Sequence, residues 1–178
     1  DSLVKKVNLK IRSLMNLCYK NEIPFIKCND LNDDKTLNFL KKQRPDIILS
    51  IGSQIVNESF LRIPSIGILN VHMGILPEYR GIGVTEWPII EDRLEDVGLG
   101  ITLHFMERGV DTGPIIMKKK FPIKKGMFIK NIELNYLPEM VDFMISGVRM
   151  ARDAILESTP QKKQDGRQYF AIHKRMKI

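Results

Sequence analysis

Three polar residues have the types and spacing that chemistry at a carbonyl group needs: Asn70, His72 and Asp111. In an extended segment Asn70 and His72 point to the same side, because strand side chains alternate with a period of two. An asparagine N–H is a neutral donor for an oxyanion, and such a donor is worth about 3 kcal/mol in acyl transfer. His72 could shuttle a proton or, when protonated, stabilise the same oxyanion. Asp111 could hold that imidazolium and take a proton from an attacking amine through a water.

The segments around these residues narrow the reaction type. Neither Asn70–Gly81 nor Arg108–Gly113 contains a serine or cysteine that could form an acyl-enzyme, so direct transfer through a tetrahedral intermediate is favoured. Each of the three residues could instead have a purely structural role. Asn70 could bridge loop backbone groups, His72 could be a packed histidine, and Asp111 could be an ordinary turn residue. His104, on an alternating segment, is predicted to be a packed histidine rather than a second base.

The elements that must position these residues alternate between helical and strand patterns, which predicts an α/β domain. Two short apolar runs, 46–51 and 66–70, are typical of parallel strands buried on both faces, and each leads into a polar or glycine-bearing loop. Such loops meet at one edge of a parallel sheet, where its chemistry is presented. Alternating side chains in 100–105 and 114–121 predict an antiparallel pair around the Asp111 loop.

The remaining elements follow from helical spacing and capping signals. In chain order we predict a helix at 7–18, a short strand at 23–26, a helix from a cap at Asp33 or Asp34 to Arg44, and short helices at 57–61 and 86–93. A long helix is predicted over 128–157, with Pro138 expected to break or kink it. Beyond Pro160 the tail is polar and basic, with one apolar insert at 169–172.

The order of elements indicates a Rossmann-like three-layer αβα fold. Such folds usually open on a strand and a glycine-rich turn, whereas this sequence opens on a helical pattern, so we expect the N-terminal strand-helix-strand to be lacking. The 178 residues, 43% of them hydrophobic, suffice for one core. We expect an N-terminally incomplete catalytic core at 1–125, with 126–178 as a helical segment and basic tail of the same domain.

The net charge of +7 is distributed unevenly along the chain. Residues 1–117 carry 14 Lys and Arg against 15 Asp and Glu, a net −1, whereas residues 118–178 carry 14 against 6, a net +8. The basic third lacks the regularly spaced aromatic residues of a single-strand binding platform. A solvated face or tail is the favoured interpretation, with attraction of a phosphorylated partner as the alternative.

Other classes of protein find little support in the sequence. Cys18 and Cys28 have neither metal-site nor disulfide spacing, and the three histidines do not converge on a zinc pattern, so we predict no metal. No run of about 18 apolar residues occurs, and residues 1–10 do not form a signal peptide. We therefore predict a cytoplasmic protein without a membrane partner.

Four motifs occur in linked order: Asn70-x-His72, Leu76-Pro77-x-Tyr79-Arg80-Gly81, Gly100-Ile-Thr-Leu-His104 and Gly109-x-Asp111-Thr-Gly113-Pro-Ile115. Together they resemble the formyltransferase family that uses 10-formyltetrahydrofolate. The similarity covers roughly residues 15–125 and is strongest between 66 and 116. It implies an enzyme whose catalytic set, Asn70, His72 and Asp111, transfers a formyl group from the folate to a primary amine.

The resemblance also implies a folate site built from three loops. Its residues would be Ser53, Gln54, Ile55, Val56, Leu76, Pro77, Gly109 and Val110. The chain departs from the family pattern in its path from His72 to Asp111, which is a few residues longer than usual. It departs again at 73–75, where Met, Gly and Ile replace the commoner small polar residues. These departures affect loop shape.

The resemblance leaves several acceptors open. An amino-sugar nucleotide is favoured, because the tail with Gln161 and 166–170 is similar to the ends of sugar-modifying members, where an aromatic ring and basic groups would bind a nucleotide diphosphate sugar. Methionyl-tRNA, which rests on the basic C-terminal third, and glycinamide ribonucleotide are alternatives, and a hydrolytic deformylase is a weaker one. A folate-binding protein without catalysis is the alternative from another class. A homodimer is left open.

Overall fold

A computed structural model describes residues 13–51, 54–123, 126 and 129–173. It has the mixed α/β organisation that the sequence predicts. Residues 13–20 are helical, and the elements after them are α1 (Asp34–Gln43), β1 (Ile47–Ser50), α2 (Glu58–Leu61), β2 (Gly67–His72), β3 (Tyr79–Gly81), α3 (Trp87–Ile90), β4 (Leu99–Phe105), β5 (Ile115–Phe121), α4 (Ile129–Arg152), a 3-10 turn (Lys163–Asp165) and β6 (Arg167–Tyr169).

The larger sheet has the strand order β1-β2-β4-β5. Strands β1 and β2 are parallel, whereas β4 runs antiparallel to both β2 and β5. The antiparallel pair predicted around the Asp111 loop is therefore confirmed. The register between β2 and β4 sets Asn70 opposite His104 and His72 opposite Thr102, so two polar residues of β4 line the end of β2.

Helices cover both faces of this sheet, which gives the predicted three layers. On one face Ile68 packs with Leu37 of α1 and Phe60 of α2. On the other face Leu69 packs with Phe143 and the rest of the apolar side of α4. Each large apolar side chain buried in this way contributes about 1.5–3 kcal/mol, so the two layers hold β2 firmly between them.

The predicted start of α1 is confirmed in detail. The Asp33 carboxylate accepts a hydrogen bond from the Thr36 N–H at 2.6 Å, which satisfies one of the donors left free at a helix N-terminus. At the other end Arg44 adopts a left-handed conformation with φ of 49°, and Pro45 follows. The short helix predicted at 57–61 is also present, as α2, and the Asn57 side chain caps it.

Two local predictions are wrong. The strand predicted at 23–26 is not formed, because no strand in the described ranges lies beside this segment. Ile23 and Phe25 are accordingly exposed. Strand β1 is not buried on both faces: it pairs only with β2 among the described strands, and Leu49 is 43% exposed. Helix α4 continues through Pro138 without a break, and apolar residues before and after the proline pack in the same core.

The described basic side chains beyond Pro160, Lys162, Lys163 and Arg167, are exposed as predicted, but the segment that carries them packs against the rest of the domain. Strand β6 pairs in parallel with β3, and the rings of Tyr79 and Tyr169 stack with their centroids 4.8 Å apart. Both tyrosine hydroxyls donate to Oε2 of Glu91 at 2.8 Å, and Arg167 donates to its other oxygen. Burial, with Glu91 beside it, raises the pKa of the Tyr79 hydroxyl, so that hydroxyl remains a donor.

A Glu91→Gln variant should therefore lose about 2 kcal/mol of unfolding free energy, because an amide cannot replace a carboxylate that accepts from two hydroxyls and a guanidinium. Chemical denaturation measures this loss. Glu95→Gln, at an exposed position four residues along, is the matched control and should be close to neutral. Equal losses in the two variants would show that the Glu91 contacts do not anchor the tail.

Within the described ranges, no helix is both long enough and apolar enough to cross a membrane.

Candidate active site

Strand β2 ends in the two residues that the sequence singles out first. Asn70 and His72 lie within the strand itself, not on the loop after it, and the strand geometry directs both side chains to one face. His72 is buried, with 7% of its surface exposed, and Asn70 is half-buried. The rigid, central strand therefore fixes the distance between the amide and the imidazole.

His104 of β4 joins this pair. Its Nδ1 lies 2.7 Å from the Phe105 carbonyl oxygen, and its Nε2 lies 3.2 Å from Nδ2 of Asn70. The neutral tautomer with its proton on Nδ1 satisfies both contacts, because Nε2 then accepts from the Asn70 amide. His104 is buried as predicted, but the packing interpretation missed that it lies within the polar cluster. The signal was available in β4, where Thr102 and His104 share one face.

Asp111 reaches the same cluster from the loop between β4 and β5. Its Oδ2 lies 3.4 Å from Nδ1 of His72 and accepts the Gly81 N–H at 2.9 Å, while its Oδ1 lies 3.4 Å from Nε2 of His104. Its backbone has φ of 52°, a left-handed conformation that aspartate tolerates better than most residues. The structure thus brings the three predicted catalytic residues together and adds His104.

The His72 ring is held at both nitrogens. Its Nε2 lies 2.8 Å from the Tyr79 carbonyl oxygen, to which an Nε2–H can donate, and this leaves Nδ1 facing Asp111. Gly74 turns the chain directly over the ring, since a Cβ at that position would lie 2.7 Å from Nε2. Thr102 secures the turn by donating to the Gly74 carbonyl at 2.7 Å. The tautomer and orientation of His72 are therefore set by backbone contacts.

Burial and neighbouring groups have opposite effects on the pKa values of His72 and Asp111. Burial lowers the pKa of His72 below its ordinary value of 6.5, although Asp111 and the Tyr79 carbonyl partly oppose the shift. Burial alone would raise the pKa of Asp111, but contacts with His104, His72 and the Gly81 N–H outweigh it and hold that pKa below 3.8. At neutral pH the site therefore contains a carboxylate beside a neutral imidazole.

Sequence comparison identifies the family. A sequence model of formyl transferases matches residues 9–137, which is more than half of the chain. The chain belongs to the formyl transferase family.

Two proteins with similar sequences are methionyl-tRNA formyltransferases. The formyl transferase chain is 28% identical over 166 residues to a methionyl-tRNA formyltransferase of Clostridium tetani, an alignment that covers 92% of this chain and 52% of the relative. It is 32% identical over 120 residues to the methionyl-tRNA formyltransferase of Clostridioides difficile, covering 67% of this chain and 38% of the relative. The chain thus spans about half the length, or less, of these relatives.

Solved structures share the fold of this formyl transferase chain. An N-formyltransferase of Helicobacter canadensis, in complex with folinic acid and dTDP-3-aminofucose, has a TM-score of 0.66 at 23% identity over 88% of this chain and 53% of that one. A formyltransferase of Anoxybacillus kamchatkensis also has a TM-score of 0.66, at 20% identity over 89% of this chain and 80% of that one. These similarities confirm the α/β formyl transferase fold.

The residues expected to bind folate in this family lie in different surroundings. Ser53 lies outside the described residues. The Gln54 side chain accepts from the Leu31 N–H at 3.0 Å, Ile55 is exposed, and Val56 is buried in the cluster beneath α1 and α2. Of the described members of this loop, Gln54 and Ile55 are exposed and Val56 is not.

The other two predicted folate loops flank the polar cluster. Leu76 is fully buried, and its N–H donates to Thr102 at 3.2 Å. Pro77, which follows a cis peptide bond, is half-buried. Gly109 is exposed and Val110 half-buried on the Asp111 loop. Folate contacts by these residues remain predictions.

In the part of the chain that the structure describes, no group of three or more His, Cys, Asp and Glu side chains is arranged to hold a metal ion.

The shifted pKa of His72 predicts how stability changes with pH. Unfolded chains take up a proton on this histidine as the pH falls below about 6.5, whereas the folded protein resists protonation, so acid favours unfolding. The stability contribution is complete above pH 6.5 and is lost as the pH falls toward the folded-state pKa. Asp111 adds a second loss that begins below about pH 3.8.

We expect the unfolding free energy of the wild-type protein to fall between pH 7.5 and pH 5, and that of a His72→Gln variant to fall less. Urea denaturation at the two pH values measures both differences. An equal decrease in the two proteins would contradict a depressed pKa at His72.

Proposed function

We propose that this protein transfers a formyl group from 10-formyltetrahydrofolate to a primary amine. The observation that carries the proposal is the convergence of Asn70, His72, His104 and Asp111 at the end of β2, in a chain of the formyl transferase family. Formyl transfer needs a hydrogen-bond donor for the carbonyl oxygen and a base that accepts the proton of the amine. The Asn70 amide is such a donor, and the neutral His72 beside Asp111 is such an acceptor.

The chemical step moves one carbon and one proton. The amine nitrogen attacks the formyl carbon, and a new C–N bond forms as the carbonyl oxygen becomes an oxyanion. Collapse of this tetrahedral intermediate breaks the bond between the formyl carbon and N10 of the folate. The amine nitrogen has then gained the formyl group and lost a proton, and N10 has lost the formyl group and gained a proton.

The described residues divide these tasks by their contacts. Asn70 uses one N–H toward His104, so its second N–H is available for the oxyanion among the contacts of the described residues. His72 can receive the amine proton at Nδ1, because its Nε2 is committed to the Tyr79 carbonyl. The resulting imidazolium would face the Asp111 carboxylate, which stabilises it as the proton passes on toward N10.

We further propose an amino-sugar nucleotide as the acceptor. The supporting observation is structural: the Anoxybacillus chain, which was solved with a UDP-linked formamido sugar and tetrahydrofolate, is matched over 80% of its length. Methionyl-tRNA is the second candidate. It is favoured by relatives that match up to 92% of this chain and by the basic excess after residue 117.

Formyl transfer from 10-formyltetrahydrofolate should be measured with dTDP- and UDP-linked amino sugars and with methionyl-tRNA in parallel. We expect a higher kcat/KM with an amino-sugar nucleotide. A preference for methionyl-tRNA, with binding that weakens steeply as salt rises, would overturn the assignment of the acceptor but not of the reaction. Folate binding without transfer to any amine would overturn the reaction itself.

A further inference from the structure

The tail after α4 runs alongside the Asp111 loop. Thr159 and Ile115 exchange two backbone hydrogen bonds of 2.8 Å, which fasten the tail to the first residue of β5. Gln161 follows two residues later and is half-buried. The tail therefore passes within hydrogen-bond distance of the loop that carries the candidate catalytic aspartate.

The Gln161 side chain bridges the Asp111 loop and strand β3. Its Nε2 donates to the carbonyl oxygens of Asp111 at 3.0 Å and Gly113 at 2.7 Å, so both N–H groups of one amide bind the same turn. Its Oε1 accepts from Nε of Arg80 at 3.0 Å. The Gln161 side-chain amide therefore makes three hydrogen bonds within the protein, and two of them hold the backbone at Asp111 and Gly113.

Arg80 holds Gln161 in that position. The arginine is only 4% exposed, and its terminal nitrogens donate to the carbonyl oxygens of Lys162 at 3.0 Å and Gly166 at 3.2 Å. A buried guanidinium with a planar set of donors is well suited to fixing several carbonyl groups at once. Strand β3 also acts on the aspartate directly, because the N–H of Gly81, the next residue, donates to its carboxylate.

The Asp111 loop needs such support. A non-glycine residue with positive φ is held there only when its surroundings favour that conformation. The carboxylate also lies 3.4 Å from each of two imidazoles, so a small rotation of the loop changes both distances. Misplacement of a catalytic group by about 1 Å can reduce turnover by about 100-fold.

We propose that Gln161, held by Arg80, is a positioning residue that fixes Asp111 against His72. This inference rests on the proposed formyl transfer for its kinetic consequence, but not for its structural one. The glutamine touches no reacting atom and acts through the backbone of the aspartate. The polar and charged groups that face the Asp111 carboxylate are His72 from β2, the Gly81 N–H from β3 and His104 from β4.

The test uses Gln161→Met, which keeps the length of the side chain and its neutral charge but removes all three hydrogen bonds. Gln164→Met is the matched control, because Gln164 is exposed and lies in the adjacent 3-10 turn. We expect Gln161→Met to lower kcat by about 10- to 100-fold, with the KM for 10-formyltetrahydrofolate changed by less than about threefold. Gln164→Met should leave both values unchanged.

A second measurement requires no substrate. The His72 imidazole is titrated by NMR in the wild-type protein and in each variant that shows a cooperative thermal unfolding transition. Because the Asp111 carboxylate partly opposes the effect of burial on His72, its displacement should move the His72 titration to lower pH in Gln161→Met and not in Gln164→Met. Gln161→Asn, which is one methylene shorter, repeats the test if the methionine variant does not fold.

The outcomes separate the two proposals. A shifted His72 titration supports the positioning role even if the wild-type protein transfers no formyl group, a result that would overturn only the proposed function. An unchanged titration with unchanged kcat would overturn the positioning role while leaving formyl transfer intact. A lower melting temperature with an unchanged titration would also overturn it, since the glutamine would then only stabilise the fold.

Discussion

An Asp111→Asn variant is expected to lose about 10³-fold in kcat for formyl transfer, while the KM for 10-formyltetrahydrofolate stays within a few fold of the wild-type value. The carboxylate is the charged group nearest to Nδ1 of His72, at 3.4 Å, and an amide cannot stabilise the imidazolium that forms when the amine loses its proton. Steady-state kinetics with a saturating amine acceptor measures the loss.

The substitution is conservative enough for the result to be interpreted. An asparagine oxygen can still accept from the Gly81 N–H, so the loop keeps that contact. Asp142→Asn, on the exposed side of α4, is the matched control for removal of one carboxylate and should retain full activity. Turnover of Asp111→Asn within about threefold of the wild type would exclude this residue from the mechanism.

Replacing Asn70 by alanine should lower kcat by about 10²- to 10³-fold. The alanine variant loses the N–H available to the developing oxyanion, and it also leaves Nε2 of His104 without the donor that lies 3.2 Å away. The effect should appear in kcat, because the interaction strengthens only as charge builds on the formyl oxygen. Single-turnover measurements with bound folate would isolate this step.

Asn135→Ala provides the control for this experiment, since Asn135 is exposed on α4. If Asn70→Ala raised KM and left kcat unchanged, the amide would bind the ground state instead of the oxyanion, and the proposed division of tasks would be wrong.

Local sequence signals predict much of the architecture. The aspartate before α1, the alternation in β4 and β5, and the apolar run of β2 each act over a few residues, so their elements form where predicted. The i and i+2 spacing of Asn70 and His72 likewise determines that both side chains share a face. These features depend on local geometry and need no knowledge of the partner strand.

Pairing partners and burial could not be obtained in this way. His104 enters the site because the register places it opposite Asn70, and periodicity gives the face of a strand but not its neighbour. The burial of Arg80 could not be predicted either, because the tail carbonyls that accept its hydrogen bonds are about 80 residues away. The docking of the tail could not be predicted for the same reason, since net charge does not reveal where Tyr169 packs.

The bridge at Gln161 also has a consequence for how the protein acquires its site as it folds. The glutamine lies 50 positions beyond Asp111 and 81 beyond Arg80, so its contacts close some of the longest loops in the chain. Long-range closures are entropically costly until the intervening structure exists, and they belong to the late part of folding. Asn70 and His72 are in place once β2 and β4 pair, but the loop of Asp111 acquires its support only when the segment after α4 docks.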